Sequence, residues 1–299
     1  MGEVERGVTI TVIGSCNVDF VVPVAELPGP GETVLGRDHL KTPGGKGANQ
    51  AVAAARLGSR VVFVGCVGDD DLATTIRTAL TDAGVELTWL HTAEDTPSGI
   101  ALITVADGGE NTIAVSPGAN ARLSPEHLNT SLLESTDVLL AQLEIPLEAV
   151  QAAVEAAHGR VLLNPAPARE LPPELLARVD VLIPNRSELG VLAGAPEPTT
   201  TDEAAALARS LTGPSAVVVT LGADGALVVA DDEVTHVPAV EVDAVDATGA
   251  GDAFCGALAD ALDRGSTLVE ATRWAVRVAG ISTTRQGAQT GMPRREDVS

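Results

Sequence analysis

The strongest constraint on the fold is an alternation that runs along most of the chain, in which short runs rich in Val and Ile are separated by longer stretches rich in Ala and Leu. The short runs have the composition of buried strands, and the longer ones have helical length. Strands that alternate with helices predict a mostly parallel sheet with helices on both faces, a three-layer α/β sandwich. The predicted strands are 8–13, 60–66, 138–143, 161–163, 179–183 and 216–220, and a hairpin follows to Val229. The predicted helices are 48–57, 71–82, 147–158, 202–211, 251–262 and 268–283.

Two stretches interrupt this alternation and predict a second, smaller sheet. Residues 17–42 contain an extended apolar segment followed by a turn-rich run, and residues 98–117 form a predicted hairpin with strands at 99–106 and 111–115. Extended segments inserted into an α/β pattern are typical of a lid over a site. No linker or repeat is visible, so we expect one α/β domain, residues 1–299, that carries a discontinuous β lid.

The charge balance excludes several classes of partner. Lys and Arg number 19 and Asp and Glu number 41, which gives a net charge of −22. Such a surface repels nucleic acid and anionic membranes. Two Trp, three Phe and no Tyr also provide few surfaces on which bases could stack. The sequence therefore favours a small-molecule ligand over a nucleic acid or a membrane.

The remaining composition predicts a soluble cytoplasmic protein. The first residues lack the basic and long apolar regions of a secretory signal, and no apolar run approaches the ~18 residues of a spanning helix. Cys16, Cys66 and Cys255 are far apart in sequence, and the five His show no HxxxH spacing. We therefore expect three reduced thiols, with neither a disulfide framework nor a protein-held transition metal.

The strongest local motif is Asp246-Ala-Thr-Gly-Ala-Gly-Asp252, which leads directly into a predicted helix. Gly249, Ala250 and Gly251 would present free N–H groups at the helix N-terminus, where the backbone amides and the helix dipole favour anions. Asp252 in the first turn suits a general base that takes a proton from a substrate hydroxyl while these amides hold a phosphoryl group. The alternative is that Asp252 only caps the helix.

A second glycine-rich segment, Pro43-Gly-Gly-Lys-Gly-Ala-Asn49, also opens a helix. It is not a P-loop, because Leu40 stands where the first Gly is required and Gly47 follows Lys46. It is not a dinucleotide fingerprint either, since Gln50 replaces the third Gly. Its backbone amides and Asn49 suit a polyhydroxyl ligand, and the alternative is an ordinary tight turn.

Other polar segments follow predicted strands, where ligands bind in open α/β sheets. Asn17 and Asp19 could accept sugar hydroxyls or lie in a solvated loop, and Glu144 could bind substrate or cap the next helix. Asn185 and Glu188 could reach Mg²⁺ through water or form a capping pair. A nucleotide wall or a simple hairpin would both fit the turn that contains Thr220, Gly222 and Gly225.

These segments, in this order, closely resemble the ribokinase family of carbohydrate kinases, the PfkB group. The likeness extends from Gly14 to Pro293, and residues 44–55 and 246–254 match its two signatures. Further similar segments are 30–33, 118–120, 142–144, 163–172 and 285–289.

The resemblance implies ATP-dependent phosphorylation of the 5-hydroxyl of D-ribose, with Asp252 as base and the amides of Gly249, Ala250 and Gly251 as the anion hole. It implies sugar contacts from Asn17, Asp19, Gly45, Lys46, Gly47, Asn49, Glu144 and Asp252. It implies a Mg²⁺ and phosphate site at Asn185 and Glu188, and nucleotide contacts from Thr220, Gly222, Gly225 and Gly251. It implies an activating K⁺ in a loop matched by Asp246, Thr248, Ser282, Arg285, Gly287 and Gly291. It also implies that the lid pairs two subunits into a homodimer.

Three points of specificity stay open. Val276 stands where the family often has Asn or His beside adenine, so a preference for ATP over other purine nucleotides is in question. Deoxyribose, another small sugar or a nucleoside are alternative substrates, although the predicted lid supplies only Phe20 as an aromatic residue. A catalytically silent sugar-binding protein is the alternative outside enzymes, but the proposed base and anion hole are both present.

Overall fold

The computed structural model describes residues 10–231 and 233–298, so the first two residues of the predicted strand 8–13 lie outside the described residues. Its strands are β1 (Ile10–Ile13), β2 (Asn17–Val24), β3 (Leu40–Gly44), β4 (Val61–Gly68), β5 (Glu86–Ala93), β6 (Gly99–Ala106), β7 (Asn111–Ser116), β8 (Val138–Ala141), β9 (Arg160–Leu163), β10 (Val181–Leu182), β11 (Ala216–Thr220), β12 (Ala226–Ala230) and β13 (Glu233–Val237). Its α-helices are α1 (Lys46–Arg56), α2 (Asp71–Asp82), α3 (Thr130–Ser135), α4 (Leu147–Ala156), α5 (Pro173–Leu176), α6 (Arg186–Leu192), α7 (Thr201–Ser210), α8 (Ala250–Asp263), α9 (Leu268–Ser282), α10 (Ala288–Gly291) and α11 (Arg295–Val298).

The central sheet has nine strands in the order β13-β12-β11-β10-β9-β8-β1-β4-β5. Neighbouring strands from β5 to β11 pair in parallel, and β12 and β13 add an antiparallel edge. The predicted parallel sheet is therefore confirmed. Two strands were missed, β5 and β13, because both lie at sheet edges and carry mixed polar sequence instead of an apolar run.

Helices cover both faces of this sheet, as the alternation predicted. Ile10 and Val12 face one buried cluster with α1, α8 and α9, whereas Ile13, the next residue, faces the other cluster with α4. Successive side chains of a strand point to opposite faces, so each central strand supplies both cores. No helix among residues 10–231 and 233–298 is long and apolar enough to span a bilayer.

The predicted lid is confirmed as a separate four-stranded sheet in the order β3-β2-β6-β7. Strand β2 pairs in parallel with β6 and antiparallel with β3, which continues to Gly44, two residues beyond the predicted segment. Leu102, Ile113 and Val115 of this sheet are exposed to solvent. The lid is continuous with the helix that follows β3, so it ends directly at the glycine-rich segment 43–49.

A close contact between α1 and α8 positions the site. A Cβ added at Gly256 of α8 would lie 2.6 Å from the carbonyl oxygen of Gln50 and 2.6 Å from the Cβ of Ala53. Only glycine permits so close an approach at this crossing. The first turns of the two helices, which carry Asn49 and Asp252, are thereby brought together.

Candidate active site

The glycine-rich start of α1 packs directly against the end of β1. Gly45 precedes the helix with a φ of 89°, and a Cβ at Gly47 would lie 2.7 Å from the Cα of Gly14. A Cβ at Gly44 would lie 2.1 Å from a carboxylate oxygen of Asp19. The segment is therefore more than an ordinary turn, because its glycines bring the helix N-terminus against β1 and the lid strand β2.

Glu144 holds this helix start in place. Its Oε2 accepts a hydrogen bond from the Oγ of Ser15 at 2.5 Å and from the backbone N of Lys46, the first residue of α1, at 3.1 Å. The suggestion that Glu144 caps the next helix is wrong, because α4 follows Pro146 without a side-chain cap. A carboxylate at the N-terminus of α1 is favoured both by the free amide and by the helix dipole.

Asp252 lies at the meeting point of α8 and α1 and is 8% exposed. Its Oδ2 accepts from Nδ2 of Asn49 at 2.9 Å, and its Oδ1 accepts from Nε2 of Gln50 at 3.0 Å. The interpretation of Asp252 as a helix cap is wrong, since α8 is preceded by Gly249, with a φ of 76°, and has no side-chain cap. The carboxylate instead faces α1 from the third residue of α8.

Space for a ligand lies beside this carboxylate. A Cβ added at Gly251 would meet no atom within 4 Å, and Gly251 is exposed. The first amides of a helix have no acceptor within the helix, which makes them available to an anion. The prediction of a free amide is wrong for Ala250, whose N donates to the carbonyl oxygen of Ala247 at 3.1 Å, so the candidate anion donors are Gly249 and Gly251. An anion cradle and a buried carboxylate therefore border the same open space.

The charges in the site are strongly coupled. Burial raises the pKa of Asp252, and Lys46, Asn49 and Gln50 partly offset that rise. Burial also opposes the charged form of Lys46, but the carboxylates of Asp252, Glu144 and Glu188 outweigh it and raise the pKa of Lys46. The pKa of Asp19 is raised to about 7 by burial, with added repulsion from Glu144 and Asp252. The ammonium group of Lys46 therefore interacts electrostatically with several carboxylates in a largely buried part of the site.

Asn17 and Asp19 lie on the lid strand β2, so the alternative of a solvated loop is wrong. Asn17 is 3% exposed, and its Oδ1 accepts from Nδ2 of Asn120 at 2.7 Å. Asn120 also pairs with the backbone of Cys16 through both ends of its amide, at 2.9 and 3.2 Å. Asn120 therefore fixes the strand that carries both candidate sugar ligands.

The candidate Mg²⁺ residues form a reciprocal cap at the start of α6. Oδ1 of Asn185 accepts from the N of Glu188, and Oε2 of Glu188 accepts from the N of Asn185, both at 2.8 Å. Burial raises the pKa of Glu188, and Lys46 and Asp252 both act on it electrostatically. The capping interpretation is confirmed, and the same cap directs a carboxylate toward the other charged groups of the site.

The turn after β11 adjoins this cap. Asn185 and Thr220 form a parallel bridge, and the N of Thr220 donates to the O of Pro184 at 2.9 Å. Gly222 and Gly225 have φ of 62° and 89°, and the N of Leu221 donates to the O of Gly225 at 2.8 Å. The hairpin interpretation is confirmed, and it places Thr220 and Asn185 side by side at one edge of the sheet.

The candidate cation residues lie on two segments that contact each other: residues 246–248 lead into α8, and residues 282–291 follow from the end of α9. Asp246 accepts from the N of Thr248 at 2.9 Å and from the N of Gly287 at 2.8 Å. A Cβ at Gly291 would lie 3.2 Å from the carbonyl oxygen of Ser282 and 3.3 Å from that of Arg285. The contacts bring the predicted residues together, with the carbonyls of Ser282 and Arg285 beside Gly291, here termed the carbonyl cradle, and the carboxylate of Asp246 at Gly287.

Comparison with known proteins identifies the family. Residues 9–295 match the family model described as pfkB family carbohydrate kinase. The chain belongs to the pfkB family of carbohydrate kinases. It is thus an ATP-binding phosphotransferase of carbohydrate metabolism, and its fold is the ribokinase-like one.

Individual relatives of this pfkB kinase divide between two substrates. It is 39% identical to a ribokinase of Haemophilus influenzae, with 97% of this chain and 96% of the relative covered. It is 41% identical to a deoxyribokinase of Salmonella typhi, with 96% of each covered. The structure of an Arabidopsis thaliana ribokinase complexed with ribose and ATP matches with a TM-score of 0.89 and 31% identity, and 97% of each chain is covered.

Several polar residues of the pfkB site were missed from sequence. Gln50 bonds Asp252, Nε2 of Gln142 donates to Oε1 of Gln50 at 2.6 Å, and Nε2 of Gln289 donates to Oδ1 of Asn49 at 3.1 Å. Gln50 was noticed only as the residue that breaks the dinucleotide pattern. Gln142 and Gln289 fell within the similar segments 142–144 and 285–289, but no role could be assigned to Gln289 because its partner is 240 residues away.

Val276 of the pfkB kinase lies on the inner side of α9 and is 6% exposed. It belongs to the cluster that α8 and α9 form against the sheet. Its side chain carries no hydrogen-bonding group for a purine edge, so any contribution from it to nucleotide binding is apolar.

Proposed function

We propose that this pfkB kinase transfers the γ-phosphoryl group of ATP to the 5-hydroxyl of D-ribose, giving D-ribose 5-phosphate and ADP. The observation that carries the proposal is the buried carboxylate of Asp252 beside the open N-terminus of α8. A base for a hydroxyl and a cradle for a phosphoryl group must adjoin one another for in-line transfer.

Proton transfer would be the task of Asp252. Its carboxylate takes the proton of the sugar hydroxyl as the new O–P bond forms and the bond from the γ-phosphorus to the bridging oxygen of ADP breaks. Burial raises the pKa of Asp252, and a higher pKa makes a carboxylate a stronger base. The ammonium group of Lys46 opposes this rise in pKa and thereby favours the ionised carboxylate.

The transferring group would be held by the amides of Gly249 and Gly251, since that of Ala250 already donates to the carbonyl oxygen of Ala247. Fixed dipoles at a helix N-terminus stabilise charge that develops on phosphoryl oxygens without reorganising during the reaction. The sugar would lie between Asp252 and the lid, where Asn17 and Asp19 are held ready by Asn120 and the glycines of segment 43–49.

The residues present fit the two implied ions. Among residues 10–231 and 233–298 no three His, Cys, Asp or Glu side chains are grouped as an all-protein metal site requires. Mg²⁺ commonly binds through water, one or two carboxylates and substrate phosphates, which suits Asn185 and Glu188. When bound, it would neutralise charge on the phosphates. Neutral carbonyls with a single carboxylate suit a monovalent ion, so Asp246, Thr248, Ser282, Arg285, Gly287 and Gly291 would hold K⁺.

The lid would exclude water that could otherwise accept the phosphoryl group.

The exposed apolar residues of the lid, Leu102, Ile113 and Val115, would be covered by the lid of a second subunit. We infer a homodimer on this basis. Sedimentation analysis of the wild type and of a Leu102→Glu variant tests it, and a wild-type monomer would contradict it.

Deoxyribose is the second candidate substrate, because the deoxyribokinase relative is as similar as the ribokinase one. A nucleoside is less favoured, since Phe20 is the single Phe, Tyr or Trp among the described lid residues 17–44 and 99–116 and is tilted against His39 instead of leaving a flat face for a base. A panel of pentoses, hexoses and nucleosides, assayed with Mg·ATP, tests the substrate. Ribose should have the highest kcat/KM, and equal or better turnover of deoxyribose would replace the proposal with its alternative.

A further inference from the structure

The amide of Asn49 has only one usable orientation. Asp252 is a carboxylate that accepts hydrogen bonds, so Asn49 must turn its NH₂ group toward it, and it does so at 2.9 Å. The carbonyl Oδ1 of Asn49 then faces the opposite way, where Nε2 of Gln289 donates to it at 3.1 Å. Gln289 therefore reinforces the orientation of Asn49 in which the NH₂ group meets the base.

Gln289 is itself held firmly on α10. It is 5% exposed, and the guanidinium of Arg56 on α1 donates to its backbone carbonyl and, at 3.0 Å, to that of Met292. Its backbone and its side chain are thus both joined to α1. An amide in this position has little freedom to exchange partners.

The same short helix also supports the anion cradle. A Cβ at Gly249, the residue before α8, would lie 2.9 Å from the Cα of Ala288, which directly precedes Gln289. The helix α10 therefore contacts the cradle through Ala288 and reaches the base through Gln289 and Asn49. All three amide and carboxylate side chains of this chain of contacts are buried.

We propose that Gln289 is a positioning residue that orients Asn49 and thereby holds Asp252 ionised and aimed at the sugar hydroxyl. The inference rests on the proposed function for its kinetic consequences. Its structural content is independent of the sugar's identity, because the contacts involve only this chain's own residues.

A carboxylate at position 289 would oppose this arrangement. Asn49 could donate to an ionised Glu at 289 only by turning its NH₂ group away from Asp252, which would place its oxygen against the base. Loss of a donor and the approach of a like charge both favour the protonated form of Asp252. The other titratable groups that act on Asp252 are unchanged by the substitution: Lys46, Glu144, Asp19, Glu188 and Cys255.

The test compares Gln289→Glu, Gln289→Met and the control Gln151→Glu, which makes the same charge change on α4, away from the site and from the candidate K⁺ loop. We expect Gln289→Glu to move the acidic limb of kcat/KM against pH upward by about one pH unit. Gln289→Met should weaken sugar binding about tenfold through the loosened Asn49. Gln151→Glu should match the wild type.

Titration of Asp252 followed by ¹³C NMR, with the signal assigned by its loss in Asp252→Asn, tests the inference without turnover. A higher pKa of Asp252 in Gln289→Glu, without a change in the control variant, supports the inference. Wild-type titration in Gln289→Glu together with wild-type sugar binding in Gln289→Met would overturn it. A wild type that phosphorylates no sugar would instead refute the proposed function, and the NMR result would still decide the role of Gln289.

Discussion

The carboxylate of Glu144 accepts the first backbone N–H of α1, from Lys46, at 3.1 Å, across 98 residues of sequence. The bond fixes the helix that carries Asn49 and Gln50 to the end of β8. A hydrogen bond to a charged group contributes about 1.5–3 kcal/mol. The contact therefore bears on both stability and substrate binding.

Glu144→Ala should lower kcat/KM for the sugar about tenfold or more, mainly through KM, because the start of α1 loses its anchor while Asp252 stays in place. Steady-state kinetics measure this, and Glu148→Ala, an exposed change on α4, is the control. A drop in kcat with an unchanged KM would mean that Glu144 acts in the chemical step instead.

Gly251→Ala separates activity from folding. A Cβ there meets no protein atom within 4 Å, and Ala is a better helix former than Gly, so the melting temperature should not fall. The added methyl group would occupy the space assigned to the phosphoryl group, so kcat should fall at least a hundredfold, or roughly 2.7 kcal/mol. Normal activity in this variant would place the phosphoryl group elsewhere.

Gly47→Ala should lower the melting temperature, which Gly251→Ala should leave unchanged. Its Cβ would lie 2.7 Å from the backbone of Gly14, so α1 and β1 must separate and the melting temperature should fall. Gly108→Ala is the matched control, because a Cβ there meets nothing within 4 Å. Equal melting temperatures for the two variants, measured by calorimetry, would contradict the close packing at Gly47.

Asp19 should make stability depend on pH. Its pKa of about 7 in the folded protein exceeds the value near 3.9 in an unfolded chain. The contribution of Asp19 to the free energy of unfolding is therefore present at low pH and is lost as the pH rises through 7. Asp19→Asn removes the buried charge and should melt at a higher temperature than the wild type at pH 8. The difference in melting temperature between Asp19→Asn and the wild type should narrow toward pH 5. Sugar binding by Asp19→Asn should be weaker than that by the wild type at pH 8. A less stable variant at pH 8 would refute the raised pKa.

Asp246 should control the response to K⁺. Its two oxygens accept from Thr248 and Gly287, so Asn would place an NH₂ group against a backbone N–H and disturb the carbonyl cradle. In Asp246→Asn, K⁺ should no longer raise kcat/KM or the melting temperature, in contrast to the wild type. Asp243→Asn, an exposed change nearby, is the control. The same K⁺ response in both variants would move the cation site elsewhere.

Local chemistry made part of this site predictable from sequence. Gly249 and Gly45 have positive φ at helix starts, and the motifs around them encode those conformations within a few residues. The alternation of apolar runs likewise encodes the central sheet, because each strand must bury both faces.

Long-range pairing made the rest unpredictable. Glu144 was expected to bind substrate or to cap the helix that follows it, and its contact with the start of α1 was not foreseen. Gln289 and Asn49 are ordinary amides in sequence, and only the approach of α10 to α1 gives them a shared role. The edge strand β5 was not predicted for a related reason. One side of an edge strand has no neighbouring strand, so its sequence need not be a continuous apolar run.

The central claim is that Asp252 takes the proton of the sugar hydroxyl. The most direct measurement is kcat and the sugar dissociation constant of Asp252→Asn, whose amide keeps the shape of the carboxylate but lacks its basicity. We predict a loss in kcat of about a thousandfold or more, with sugar binding within about tenfold of the wild type. A variant that turns over ribose at a near-normal kcat would contradict the account.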